Sequence, residues 1–358
     1  MRIAQVAPLY ESVPPRAYGA TERVVHYLTE ELVRQGHEVT LFASADSCTS
    51  AQLVPICARG LWRDAQVWDT LTHHVRQLEE VARRASTFDV LHFHGDPFHF
   101  PLARRLPCAS VTTLHGRLLP ADHGPLFSEF ADAPLVSISD DQRRPVPWAN
   151  WCATIHHGMP ADELPYSDSA DDYLLFIGRM MPGKRPDLAV EIARRSGLRL
   201  KMAAKVHPGE RDYFTREIEP MLRDNADTVD YLGEVGGAER AALISRARAL
   251  VFPIDWPEPF GMVLIEAMSC GTPAIAFGKG AVPEVLEDGV SGFIVDDVTA
   301  AVAAVGRLDR LSRRRCREAF LARFDAARMA RDYVALYERL VRARRPAAGH
   351  AEEDLALR

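Results

Sequence analysis

Glu258 and Glu266 bracket a short apolar stretch in Asp255-Trp256-Pro257-Glu258-Pro259-Phe260-Gly261-Met262-Val263-Leu264-Ile265-Glu266-Ala267-Met268-Ser269-Cys270-Gly271. The two prolines break the chain after the apolar run Ala249–Phe252, so a helix is expected to begin near Gly261. Glu258 then lies in the loop, and Glu266 on the first or second helical turn. Between them the backbone N–H groups of Gly261, Met262 and Val263 have no acceptor within the helix, a geometry that attracts phosphate. One carboxylate would meet hydroxyls before the phosphate and the other hydroxyls after it. A nucleoside diphosphate sugar presents hexose, phosphates and ribose in that order. Taken alone, the spacing fits equally a turn glutamate followed by a surface helix glutamate.

A second group of charges narrows this. The apolar run Leu174–Ile177 ends in Gly178-Arg179-Met180-Met181-Pro182-Gly183-Lys184-Arg185-Pro186, which puts Arg179 and Lys184 at the end of a strand. Fixed cations there would stabilise the charge that a pyrophosphate gains as a glycosidic bond breaks. Arg185, in the same loop, reads as solvated surface.

Such groups need a scaffold that brings strand ends and helix starts together. Ile3–Ala7, an amphipathic segment over Thr21–Gln35, Gly36 and Val39–Ala43 spell strand, helix, strand. Val24, Val25, Leu28, Leu32 and Val33 fall on one helical stripe, as expected for a helix covering a parallel sheet. Val90–Phe93, Ser110–Leu114, Leu135–Ile138 and Thr154–Ile155 read as further buried strands. After the Pro-, Asp- and Ser-rich stretch 158–172 alternation resumes, with strands expected at Tyr173–Ile177, Leu198–Ala203, Val229–Leu232, Ala249–Phe252, Pro273–Ala276 and Phe293–Val295 and helices at Pro186–Arg195 and Ala238–Arg246. The fold class is therefore α/β, with two Rossmann-like, doubly wound parallel-sheet domains facing a central cleft. The expected divisions are 1–165, 166–340 with a last helix that can pack back on the first domain, and a flexible tail at 341–358. Ligands of such sheets sit at the carboxyl ends of strands, so the shared site is expected in the cleft.

The chain's 358 residues suit two cores. No apolar run approaches the roughly 18 residues of a membrane span, and the segment after Met1 is too short for a signal peptide. Residues 1–165 hold 14 arginines, no lysine and 19 Asp plus Glu, a balance of −5, which disfavours nucleic acid and anionic lipid as partners. The arginines recurring between Arg310 and Arg345 read as a solvated helix face. Six scattered cysteines form no C-x-x-C pair and imply reduced thiols and a cytoplasmic location.

The segments Gly178–Pro186 and Glu258–Gly271, with Tyr18-Gly19-Ala20-Thr21-Glu22-Arg23, Gly36-His37-Glu38-Val39, Pro283-Glu284-Val285 and Gly289-Val290-Ser291-Gly292-Phe293, resemble the retaining glycosyltransferases of family 4, which have the GT-B fold. The resemblance covers about residues 1–340. It implies that Glu266 binds the ribose hydroxyls, Glu258 the transferred hexose, and Phe260, Gly261, Met262 and Val263 the donor through main-chain groups. Arg179 and Lys184 would grip the diphosphate. Gly19 and Ala20 occupy the family's N-terminal glycine pair, and Ala20 departs from the usual second glycine. Glu234 and Val235, in Leu232-Gly233-Glu234-Val235, look like the base-binding segment. His115, in Thr112-Thr113-Leu114-His115-Gly116, matches a histidine beside the reacting sugar. His156-His157-Gly158 replaces the family's Pro-Asn-Gly. The implied reaction moves a hexose from a sugar nucleotide, with UDP-hexose preferred over GDP-mannose, to an unidentified acceptor hydroxyl. The leaving phosphate takes the acceptor's proton, and neither metal nor other cofactor is expected.

Other chemistries share parts of this pattern. Leu91-His92-Phe93-His94-Gly95-Asp96 contains the H-x-H-x-D of dinuclear zinc hydrolases, with His92 and His94 on one strand face. A sugar-nucleotide epimerase, a phosphorylase holding pyridoxal phosphate on a lysine such as Lys205, and a non-catalytic sugar-nucleotide-binding module are the remaining alternatives.

Overall fold

The computed structural model describes residues 1–16 and 19–344; Tyr18 and the expected tail from 345 onward lie outside the described residues. Seven parallel strands form the first sheet: β1 (Arg2–Val6), β2 (Glu38–Ala43), β3 (Gln52–Pro55), β4 (Val90–Phe93), β5 (Ala109–Thr113), β6 (Leu135–Ser137) and β7 (Trp151–Thr154), in the order β3-β2-β1-β4-β5-β6-β7. Six more build the second: β8 (Tyr173–Arg179), β9 (Arg199–Lys205), β10 (Val229–Gly233), β11 (Ala249–Phe252), β12 (Ala274–Phe277) and β13 (Gly292–Val295), in the order β10-β9-β8-β11-β12-β13. Every pairing is parallel. The strand order reverses between β1 and β4 in one sheet and between β8 and β11 in the other. At such a switch point adjacent loops diverge to opposite faces and leave a crevice.

The apolar stripe behaves as its spacing requires. Val24, Val25, Leu28 and Leu32 of the helix Ala20–Arg34 are all buried against the first sheet. The second-sheet helices Pro186–Ser196 and Gly237–Arg246 begin and end within a residue or so of expectation. Two strands differ. β3 is short, largely exposed and closed by Pro55, so it shows no run of buried residues. β7 lies at Trp151–Thr154 rather than Thr154–Ile155, because it is an edge strand of half-buried residues without an apolar core run.

The arginine-rich tract divides into helices Arg313–Arg323 and Ala326–Arg344. The second crosses back to the first sheet, where Tyr333 and Tyr337 are buried with Leu28, Val90 and Val111. Helix therefore continues to Arg344, four residues into the expected tail, because its buried face is tied to this core. The same apolar cluster includes Leu264, Ile265, Phe320 and Phe324, so the core runs on beneath both sheets. Among the described residues no helix is long and apolar enough to cross a membrane.

Candidate active site

Between the carboxyl ends of the two sheets lies a cleft of about 490 Å³. It is lined by Gly19, Ala20, His115, Arg179, Lys184, Glu234, Val235, Glu258, Phe260, Gly261, Met262, Val263 and Glu266, the residues expected to meet the donor, whereas His92, His94, Asp96, Arg185 and His156 are not part of its lining. Arg16, Arg23, Tyr27, His157, Glu163, Lys205 and Arg240 join them.

The helix on the second-sheet side spans Met262–Ser269, one residue later than expected, and Gly261 is its N-cap with φ +87°. That left-handed conformation favours glycine. Glu266 sits on the second turn, 5% exposed. Its carboxylate accepts from the Arg240 guanidinium at 2.5 Å, and Arg240 is itself partly buried. Glu258 is in contact with Lys184 Nζ, which also lies 5.1 Å from the Phe252 ring centroid and 5.2 Å from that of Trp256. Arg179 rests on Glu210, with its Nε buried and unpartnered.

Backbone contacts hold these loops together. Asp255 N–H donates to Gly183 O at 2.9 Å, joining the Lys184 loop to the Glu258 loop. Ala281 N–H donates to Glu258 O at 2.9 Å, while a Cβ at Gly280 (φ +58°) would stand 2.3 Å from Glu258 N. Only glycine permits that approach. On the opposite wall, a Cβ at Gly19 would come within 2.7 Å of Pro15 Cβ, so the first loop is tight for reasons of space.

His115 lies behind the first loop. Its Nε2 is 3.0 Å from His94 Nδ1, while its Nδ1 is buried and unpartnered. Burial drives its pKa down to about 3, which keeps the ring neutral. Its ring stacks on His157 at 5.2 Å, and His157 meets Phe260 edge-on at 4.9 Å. Both residues of the His156-His157 departure thus acquire a place. His156 Nε2 is 3.3 Å from Glu284, whose carboxylate also accepts from Asp140 N–H and Asp141 N–H at 2.7 Å each. Burial would raise the Glu284 pKa, but His156 and these N–H donors together hold it below the usual value. Glu284 thereby bridges the two sheets' domains.

The zinc alternative does not fit the geometry. His92 and His94 are adjacent, with ring centroids 3.8 Å apart. His92 bonds Tyr337 Oη at 2.6 Å and Thr113 Oγ1 at 2.7 Å, and His94 bonds Gln5 Oε1 at 2.6 Å and His115. All four nitrogens are engaged within the protein, while Asp96 accepts from Tyr10 Oη at 3.0 Å. They form a buried polar network rather than a ligand set. Lys205, the lysine open to a cofactor, stands 3.4 Å from Glu234.

The carboxylates lining the cleft share one property. Glu163 lies 4.0 Å from Arg23, Glu234 near Lys205, Glu258 on Lys184 and Glu266 on Arg240. Each is paired with a cation. Arg240 was not singled out in the sequence. A cation in the first turn of the helix Gly237–Arg246 opposes the helix dipole, and that conflict was the available signal that it serves a partner.

Comparison with known proteins agrees with this architecture. The model for Glycosyltransferase Family 4 matches residues 21–155, and that for Glycosyl transferases group 1 matches residues 165–322. A D-inositol 3-phosphate glycosyltransferase of Actinosynnema mirum is 35% identical over 132 residues, 34% of this chain and 31% of that protein. Its counterpart in Streptomyces griseus is 32% identical over 181 residues, 47% of this chain and 36% of that protein. The chain thus spans about a third of the length of these curated relatives. Among solved structures, AviGT4, a glycosyltransferase involved in avilamycin A biosynthesis, is 25% identical with a TM-score of 0.73 over 96% of this chain and 98% of that one. Sucrose-phosphate synthase from Thermosynechococcus elongatus shares the fold, at 20% identity and a TM-score of 0.78 over 96% of this chain and 100% of that one. With one matching model over each sheet and the GT-B arrangement throughout, the chain belongs to the family-4 type of GT-B glycosyltransferases.

Proposed function

We propose that the protein is a retaining hexosyltransferase that moves a hexose from a nucleoside diphosphate sugar, with UDP-hexose the preferred donor, to an acceptor hydroxyl. The observation that carries this reading is the pairing of Lys184 with Glu258 and of Arg240 with Glu266 on either side of the helix start at Gly261. In the proposed complex the diphosphate sits on the N–H groups of the first helical turn, the hexose lies toward Glu258 and the ribose toward Glu266. Lys184 and Arg179 turn to the diphosphate, where their charge counts most as the bond to the anomeric carbon breaks. His115, held neutral, offers its unpartnered Nδ1 to a sugar hydroxyl.

The pairing of each cleft carboxylate with a cation supports a mechanism without a protein base. The anomeric C–O bond to the diphosphate breaks, the acceptor oxygen bonds the same face, and the acceptor's proton passes to the leaving phosphate oxygen. Calorimetric titration with UDP and GDP, followed by NMR assignment of the product anomer, tests the proposal. Tight UDP binding and a retained anomeric configuration are expected. A protein that bound neither nucleotide, or inverted the anomer, would not be this enzyme, while binding without hydrolysis or transfer would favour the non-catalytic module.

A further inference from the structure

Beside the cleft, on the first-sheet rim, an aromatic platform stands open. Tyr10 follows β1, and Asp96 and Phe98 follow β4, at the carboxyl ends of two adjacent strands. The loop after β3 brings Trp62 against Tyr10, with ring centroids 4.9 Å apart and planes 26° from parallel. His74 lies 5.1 Å from Tyr10 on another side and is fixed by a 2.8 Å bond from its Nδ1 to Thr70 O.

The platform is rigid by construction. Trp62 N–H donates to Tyr10 O at 3.0 Å and Leu61 N–H to Leu9 O at 2.8 Å. A Cβ at Gly60 would stand 2.7 Å from Glu11 Cα, so only glycine lets the loop close this far. Trp62 nevertheless remains 61% exposed and Phe98 48%. Exposed, preorganised rings beside a binding cleft lose little entropy on meeting a ligand.

From these observations, and resting on the glycosyl-transfer reading above, we propose that Tyr10, Trp62 and Asp96 form an acceptor subsite for a neutral sugar unit. A pyranose presents an apolar C–H face and a rim of hydroxyl donors. Trp62 supplies the complementary ring, and Asp96, which spends one lone pair on the Tyr10 hydroxyl, has others for sugar hydroxyls. The charges set the class of ligand. Residues 60–70 hold Asp64, Asp69 and a single arginine, Arg63, which is neutralised by Glu11 at 2.9 Å. Although the exposed Arg59 and Arg76 flank it, this acidic stretch favours a neutral ligand over phosphate or an anionic membrane. The platform also adjoins the cleft. Glu22 Oε2 lies 3.1 Å from the Cβ position of Gly19 in the cleft wall, Tyr10 feels the charge of Glu22, and Arg63 feels that of Glu234 across the opening.

The test uses the full chain on an array of neutral oligosaccharides, with bound glycans then titrated calorimetrically against wild type, Trp62→Ala, Asp96→Asn and Trp148→Ala, a remote exposed tryptophan. UDP affinity is measured on each. Binding of a neutral glycan, weakened about tenfold or more by Trp62→Ala and by Asp96→Asn and unchanged by Trp148→Ala, with UDP affinity preserved throughout, is the expected result. Failure to bind any neutral glycan, glycan binding indifferent to Trp62 and Asp96, or binding only to phosphorylated sugars or phosphatidylglycerol vesicles overturns the subsite. Loss of UDP binding in the wild type with Trp62-dependent glycan binding intact would remove the transferase reading and leave the subsite standing.

Discussion

At the cleft, single side chains are held by ion pairs that the proposed donor would exchange for its own phosphates and hydroxyls. Lys184, seated between Glu258 and the rings of Phe252 and Trp256, already points its ammonium at the site. Replacing it with Ala should lower kcat/KM roughly 10²–10³-fold, the scale of a lost transition-state donor, as measured by release of nucleotide in the presence of acceptor. Near-normal turnover would remove Lys184 from the reaction. Arg240 acts on Glu266 rather than on the reacting atoms, so its loss should show as nucleotide affinity. Arg240→Leu leaves a buried carboxylate unpaired, at a cost of about 3–5 kcal/mol of stability, and should weaken UDP binding by at least about tenfold. Arg240→Lys should restore most of both, read by calorimetry and thermal melting. Equal UDP affinity in the Leu variant would contradict this role. That Glu258, Glu266, Arg179 and Lys184 share one cleft was legible from their places at strand ends and a helix start together with the family resemblance. Arg240 was not, because on a helix whose tertiary neighbours are unknown an arginine looks like solvated surface.

Turns decide whether those side chains face the cleft. The loop carrying Glu258 is backed by the turn after β12, where Gly280 combines φ +58° with a 2.3 Å approach of its Cβ position to Glu258 N. Gly280→Ala must therefore move one loop or the other. The second sheet is expected to survive, with a thermal midpoint lowered by several degrees, a loss of about 1–3 kcal/mol, while kcat/KM falls at least tenfold through misplacement of Glu258. A variant with unaltered activity would mean that this turn does not set the position of Glu258. Elements with strong apolar periodicity, such as the helix Ala20–Arg34 and the central strands β1, β4, β8 and β11, were readable from sequence within a residue or two. Edge strands β3 and β7 were not, since half-exposed residues carry no period. The Glu284 bridge was also illegible in physical terms. It joins residues more than 140 positions apart, and the sequence offered Pro283-Glu284-Val285 only as part of a resemblance.

The molecule as a whole is fastened by its last helix, and that fastening runs through buried histidines. Tyr337 Oη meets His92, Tyr333 Oη meets Thr113 at 2.8 Å, and the chain of bonds continues through Gln5 and His94 to His115 at the cleft. Burial pulls the pKa of His92, His94 and His157 well below the ordinary value, and takes His99 and His115 to about 3. The unfolded chain titrates near pH 6.5 and so binds more protons than the native state throughout the interval between. Stability from these groups is fully present above about pH 6.5 and is lost as pH falls toward 3, by up to about 1.4 kcal/mol per pH unit for each histidine. Glu22 opposes them: burial lifts its pKa to about 7, so its contribution is present below its unfolded value and fades as pH rises through 7. One carboxyl against five histidines leaves the sum favouring neutral pH. Scanning calorimetry should accordingly give a nearly constant midpoint above pH 7 and a steep decline from pH 6 to 4. Because Tyr333 and Tyr337 anchor the helix Ala326–Arg344 to this network, hydrogen exchange at pH 5 should accelerate there before it does in the second sheet. A midpoint unchanged between pH 7 and pH 5 would mean that these histidines do not stay neutral and buried, and the last helix would then need another explanation for its hold on the first domain.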